Sequence, residues 1–154
     1  MEKTPKVLFL SRGNASRAQI AEGFMRVLAG NRFIPFSAGT ESASVSPLAV
    51  EVMSEVGIDI SVQQPREVHS LFRENFRYAV ALFDEPRERH AIFPFTRNLL
   101  TWPVTDPEVA ASELKARKQV YRQIRDQIRS RVEQLIEMMN QSDRALAKGY
   151  ATAA

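Results

Sequence analysis

Lys6-Val7-Leu8-Phe9-Leu10 is an unbroken apolar run, the pattern of a strand covered on both faces as in a parallel α/β sheet. It stops at Ser11. From Ala18, the residues Ile20, Phe24, Val27 and Leu28 recur at i, i+4, i+7 and i+8, one helical stripe ending near Gly30-Asn31. Phe33 to Ser37 reads as a second strand closed by Ala38-Gly39-Thr40, and Ser46-Pro47 opens a helix through Val50 and Met53 that stops at Gly57. Tyr78 to Phe83 and Asn98 to Trp102 are two further strand candidates. The charged segment from Asp84 to His90 between them reads as a turn or short helix. From Glu108 to about Met139 a helical pattern runs without Gly or Pro, its apolar positions being Leu114, Tyr121, Ile124, Ile128, Val132, Leu135 and Met139. After Asn140 the composition turns polar and small.

Strands alternating with helices predict a single doubly wound, Rossmann-like α/β domain over residues 1–140, with about four parallel strands, followed by a flexible tail at 141–154. The 154 residues suit one domain, and 44% hydrophobic with 25% charged residues is enough for a packed core. There is no internal repeat. The formal charge of +3 is a small excess and does not by itself imply nucleic acid. No apolar run reaches the roughly 18 residues of a membrane span, and Met1-Glu2-Lys3-Thr4-Pro5 leads straight into the first strand, so the expectation is a cytoplasmic protein without an export signal. The chain has no cysteine, which excludes disulfides, thiolate metal sites and thiol catalysis.

The candidate chemistry lies in Ser11-Arg12-Gly13-Asn14-Ala15-Ser16-Arg17, which joins the carboxyl end of the first strand to a helix N-terminus. In open α/β sheets ligands bind beyond the carboxyl ends of strands, and the free N–H groups at a helix start favour an anion. Gly13 and Asn14 tolerate positive φ, so that successive amides can converge, and Arg17 offers a bidentate fork for a tetrahedral oxyanion. A plain βα turn with Arg17 as a surface charge is the bland alternative. Neither Gly-x4-Gly-Lys nor Gly-x-Gly-x-x-Gly is present, which disfavours those modes of nucleotide binding.

The stretch from Val7 to Gly23 resembles the opening signature of the low-molecular-weight protein tyrosine phosphatases and the related arsenate reductases. Ser37-Ala38-Gly39-Thr40, Pro47-Leu48-Ala49-Val50 and Trp102-Pro103-Val104-Thr105-Asp106-Pro107 resemble later parts of that family in the same order. The resemblance implies the phosphotyrosine phosphatase I type of α/β fold and a Cys-x5-Arg oxyanion loop. A thiolate there attacks phosphorus or arsenic, loop amides and the arginine hold the oxyanion, and an aspartic acid protonates the leaving group. Carried over by position, Ser11 stands at the nucleophile, Arg17 at the anion clamp and Asp106 at the general acid, with Arg12, Gly13, Asn14, Ala15 and Ser16 as the oxyanion-binding loop. No cofactor and no metal are implied. The implied ligands are phosphate, arsenate, sulfate or a phosphorylated ligand.

Three departures bear on activity. A serine hydroxyl is not ionised at neutral pH as a low-pKa thiolate is, and it needs a general base that the loop does not contain. A loss of about 10⁴-fold or more in turnover follows. Ala18 stands where the family commonly has a hydroxyl residue that donates to the thiolate. The joint absence favours a natural serine, and so a pseudoenzyme, over a Cys-to-Ser variant of an active phosphatase or reductase. Finally, Phe83 and His90 occupy the positions of the two further cysteines of the thioredoxin-coupled reductases, so relay by thiols is impossible. Glu108 directly follows Asp106-Pro107, where the tyrosine phosphatases often have tyrosine, and this places the chain nearer the reductase side.

Arg12 adds a second guanidinium to the loop, either as extra charge for a dianion or as a solvent-facing residue paired with a nearby acid. Glu22 reads as a solvated residue or a structural pair. Lys115, Arg117, Lys118, Arg122, Arg125, Arg129 and Arg131 could form a polyanion-binding surface, the basis of a third, nucleic-acid or interaction reading. A solvated helix face with i,i+4 pairs explains the same run. Phe72, Phe76, Phe93 and Phe95 read as core or site wall, and His69 and His90 lack metal-ligand companions. Oligomeric state is left open by the sequence.

Overall fold

The computed structural model describes residues 4–12, 16–39, 45–64, 66–83, 98–110 and 112–153. At its centre is β1 (Lys6–Ser11), paired in parallel with β2 (Ile34–Gly39) on one side and with β4 (Tyr78–Ala81) on the other. β3 (Arg66–Glu67) extends the β2 edge and β5 (Leu99–Thr101) the β4 edge, giving a five-stranded all-parallel sheet of order β3-β2-β1-β4-β5. The chain winds outward first one way and then the other from β1. The crevice at that reversal, beyond the carboxyl end of β1, is where a doubly wound sheet binds ligands. The sequence predicted about four strands; the fifth, β3, is a two-residue strand too short to carry a periodicity.

Successive residues of β1 point to opposite faces. Val7 and Phe9 join Val80 in a core with α1 (Ser16–Ala29), α2 (Pro47–Ser54) and α4 (Leu114–Ala153). Leu8 and Leu10 join Ala79, Ala81 and Phe83 in a second cluster with Val68, Leu71 and Phe76 of the segment after β3. Both faces are covered, which is why the strand reads as continuously apolar. Phe76 packs edge-on against Phe36 at 5.4 Å, a core role as predicted, and Phe93 and Phe95 lie outside the described residues.

The buried stripe of α1 runs through Ala18, Ile20, Ala21, Phe24, Met25 and Ala29, whereas Val27 is 58% exposed. The predicted stripe was therefore rotated: Ala21 and Met25, not Val27, face inward. Gly23 explains how closely α1 approaches its neighbours, since a Cβ there would lie 2.7 Å from Ile60 Cγ2. The α2 turn ends at Gly57 with φ +80, the left-handed conformation that glycine adopts without strain.

The final helical pattern breaks into α3 (Pro107–Ala110) and α4, where the sequence had suggested one run from Glu108. Ser112 and Glu113, whose side chains favour caps and first turns, mark the break. α4 packs through Tyr121, Ile124, Ile128, Val132, Leu135 and Met139, as predicted, while Leu114 is 68% exposed. Its backbone stays helical to Ala153, so α4 runs on past Asn140 into the polar, small-residue segment. Arg77 pairs with Asp143 at 3.0 Å beyond the predicted boundary.

Most of the basic run is engaged in ion pairs. Arg122 holds Glu55 of the α2 C-terminus at 2.7 Å, Arg125 reaches the same carboxylate at 2.8 Å and Asp126 at 2.9 Å, and Lys118 pairs with Glu51. Arg129–Glu133, at 3.3 Å, is an i,i+4 pair of the kind the sequence suggested; the pairs to Glu51 and Glu55 instead clamp α4 onto α2. Hydrogen bonding from Arg122, opposed by the smaller cost of burial and reinforced by Arg125, lowers the Glu55 carboxyl from 4.5 to about 2. A depressed carboxylate contributes stability that is fully present above its unfolded pKa and is lost as pH falls through the folded one. The α2–α4 clamp is therefore expected to weaken between pH 4.5 and about 2. Melting temperature followed by circular dichroism should fall across that window, and Glu55→Gln should flatten part of the fall; parallel curves for the two proteins would refute the assignment.

Candidate oxyanion site

Ser11 is the last residue of β1, opposite Gly39 in the register, and 1% exposed. The Ala18 N–H donates to Ser11 Oγ at 3.3 Å, so the first turn of α1 offers a backbone donor at the point where Ala18 itself supplies no hydroxyl. Arg12 is exposed, and Gly13, Asn14 and Ala15 lie outside the described residues. The chain re-enters at Ser16, 2% exposed, and at Arg17, one of the largest fully buried side chains among the described residues.

A buried guanidinium requires partners. Arg17 Nη1 donates to the Val104 carbonyl at 2.8 Å, which ties the start of α1 to the Trp102–Pro107 segment following β5. Trp102 anchors that segment against Phe9 of β1, their ring centroids 6.0 Å apart. Asp106, half-buried, accepts the Glu108 N–H on Oδ1 at 3.0 Å, a side-chain bond that caps the short α3. The structure thus brings Ser11, Ser16 and Arg17 to one end of the sheet and links Arg17, through Val104, to the segment carrying Asp106.

Glu22 is a structural pair, 7% exposed rather than solvated. It accepts from Ser37 Oγ at 3.0 Å and from Arg26 at 2.7 Å, binding α1 to β2. His69 is exposed and paired with Glu67, and His90 lies outside the described residues. No group of three His, Asp or Glu that could hold a metal occurs among the described residues.

Sequence reasoning placed Tyr121 in the apolar stripe and missed its hydroxyl. Tyr121 is fully buried, and its OH meets Ser46 Oγ at 3.0 Å and the Glu108 carboxylate. Ser46 Oγ also donates to Glu108 Oε1 at 3.0 Å. Burial, and then the hydrogen bond to Glu108, push the phenol well above its ordinary value of 10. The available signal was a tyrosine among Ile, Val and Leu on a buried face, because a buried phenol needs a polar partner.

A five-stranded parallel sheet flanked by helices, with a buried arginine at the first βα turn, defines a doubly wound α/β protein. The chain belongs to the low molecular weight phosphotyrosine protein phosphatase family, whose pattern it matches over residues 6–145. It is 32% identical over 131 residues to an arsenate reductase of Shouchella clausii, covering 85% of this chain and 94% of that protein. A solved arsenate reductase in its phosphate-binding state superposes with a TM-score of 0.71 at 30% identity, over 87% of this chain and 98% of the other. An arginine phosphatase with a phosphorylated active-site serine in place of cysteine shares the fold, with a TM-score of 0.74 at 21% identity over 90% of this chain and 98% of its own.

Proposed function

We propose that this chain is a cytoplasmic pseudoenzyme of its family, binding phosphate- or arsenate-type oxyanions in the loop from Ser11 to Arg17 with very little turnover. The observation that carries the reading is that the Ser11 hydroxyl, which accepts the Ala18 N–H, and the Arg17 guanidinium are both buried where β1 leads into α1. In this reading the loop amides and the positive end of α1 hold the oxyanion, and Arg17 supplies a charged fork. Asp106 stands as the proton donor to a leaving group, and Arg12 adds charge at the rim.

Turnover is slow because of the nucleophile. An alcohol attacks only when a base removes its proton. Among the described residues no basic side chain hydrogen-bonds Ser11 Oγ, and His69 is engaged with Glu67. The phosphate-binding state of the arsenate reductase at 30% identity supports the ligand class. The retained link from Arg17 to the Asp106 segment favours, as a second reading, an active phosphatase or reductase carrying serine for cysteine. A polyanion surface on α4 has less support, because Lys118, Arg122, Arg125 and Arg129 are held in ion pairs. No helix of the described residues is long and apolar enough to cross a membrane.

Calorimetric titration with phosphate, arsenate and sulfate, beside a p-nitrophenyl phosphate assay, tests the proposal. Saturable binding with negligible hydrolysis is expected. Absence of binding would overturn it, and so would brisk hydrolysis that disappears in Ser11→Ala, which would establish a working serine nucleophile.

A further inference from the structure

Three segments far apart in sequence meet at one phenol oxygen. Tyr121 is contributed by α4, Ser46 precedes α2, and Glu108 lies two residues after Asp106. The Glu108 carboxylate can only accept, so Tyr121 donates to it, and the single proton of Ser46 is shared between Glu108 Oε1 and the phenol oxygen, both 3.0 Å away. Tyr121 and Ser46 are at most 4% exposed. The backbone N–H of the same Glu108 holds Asp106 Oδ1 at 3.0 Å. Arg117 approaches the other oxygen of Glu108 at 3.8 Å and counters its charge from the solvent side.

From this we infer that Tyr121 is a positioning residue, fixing the Asp106 segment, through Glu108, against α4 and the start of α2. Its functional half rests on the oxyanion reading above. Arg17 makes a second, independent link to that segment, from the oxyanion loop, through Val104. With both in place, the distance from Asp106 to a bound oxyanion is set by packed groups and not by loop motion. Removing the hydroxyl leaves Ser46 and Glu108 short of a partner in a buried place, and the acid segment is the element free to shift.

Two measurements test this, one of them without any turnover. In the unmodified chain, Tyr121→Phe should speed hydrogen exchange of the Glu108 amide by about tenfold, with the amides of Leu8 and Phe9 in β1 unchanged as a control for the fold. An unchanged Glu108 amide would overturn the inference. Ser46→Ala, a smaller change to the same network, should act in the same direction and serves where Tyr121→Phe proves too unstable to study.

The second measurement uses Ser11→Cys as background. There Tyr121→Phe should lower kcat for phenyl phosphate, a poor leaving group that needs the acid, by about tenfold. It should lower kcat for p-nitrophenyl phosphate far less, with KM little changed for either ester. Equal losses on the two esters would mark a purely structural residue and overturn the positioning role. An inactive Ser11→Cys protein would count against the oxyanion-enzyme reading instead, and the exchange result would still decide the case for Tyr121.

Discussion

Ser11→Cys alone is expected to turn the chain into a measurable phosphatase, raising p-nitrophenyl phosphate hydrolysis on the order of 10⁴-fold over the unmodified protein. A thiol at the end of β1 would sit at the N-terminus of α1, with the Ala18 N–H, now 3.3 Å from Ser11 Oγ, directed at the sulfur. Helix amides and a neighbouring guanidinium lower a thiol's pKa, so the nucleophile would be ionised at neutral pH without a general base. Adding Asp106→Asn should then reduce the new activity. Arsenate reduction coupled to thioredoxin should stay absent, because Phe83, buried in the second core cluster, and His90 cannot form a relay disulfide. A Ser11→Cys protein no faster than Ser11→Ala would remove Ser11 from the nucleophile position.

Arg17→Ala should weaken phosphate binding about 100-fold, in line with the 2–5 kcal/mol typical of deleting one partner of a buried charged contact. Arg17→Lys should recover only part of this, since an ammonium is a point charge and cannot present two parallel N–H donors. Truncation also strips the Val104 carbonyl of its 2.8 Å donor, so a lower melting temperature is expected alongside the lost affinity. Calorimetric titration of the three proteins decides the point. Equal affinity in Arg17→Ala and the unmodified chain would refute the clamp.

Long apolar runs and capped helices were legible in the sequence because their pattern is local. β1 is apolar at every position because both of its faces are covered, and Gly57 marks the end of α2 because the left-handed turn there suits glycine. β3 was not legible: its two residues, Arg66 and Glu67, owe their strand conformation to the β2 edge. The inward face of α1 was misjudged because Ala21 and Gly23 carry so little side chain that periodicity overlooks them, yet small residues are what let α1 approach Ile60. At the candidate site, the loop is proposed from its chemistry and its family resemblance, and the structure adds the burial of Ser11 and Arg17. The Tyr121 network could not be read, since it joins Ser46, Glu108 and Tyr121, whose meeting depends on tertiary packing.

α4 gives the molecule a handle. Forty residues of α-helix span about 60 Å, well beyond the sheet it packs against. The helix begins near the Asp106 segment, where Arg117 approaches Glu108, and by Asp143 it has reached Arg77 at the amino end of β4. Ser11 lies at the opposite, carboxyl end of the sheet. A fluorophore, affinity tag or surface tether placed on the last turns of α4 therefore stands away from the oxyanion loop, leaving that loop open to solution in immobilised binding assays.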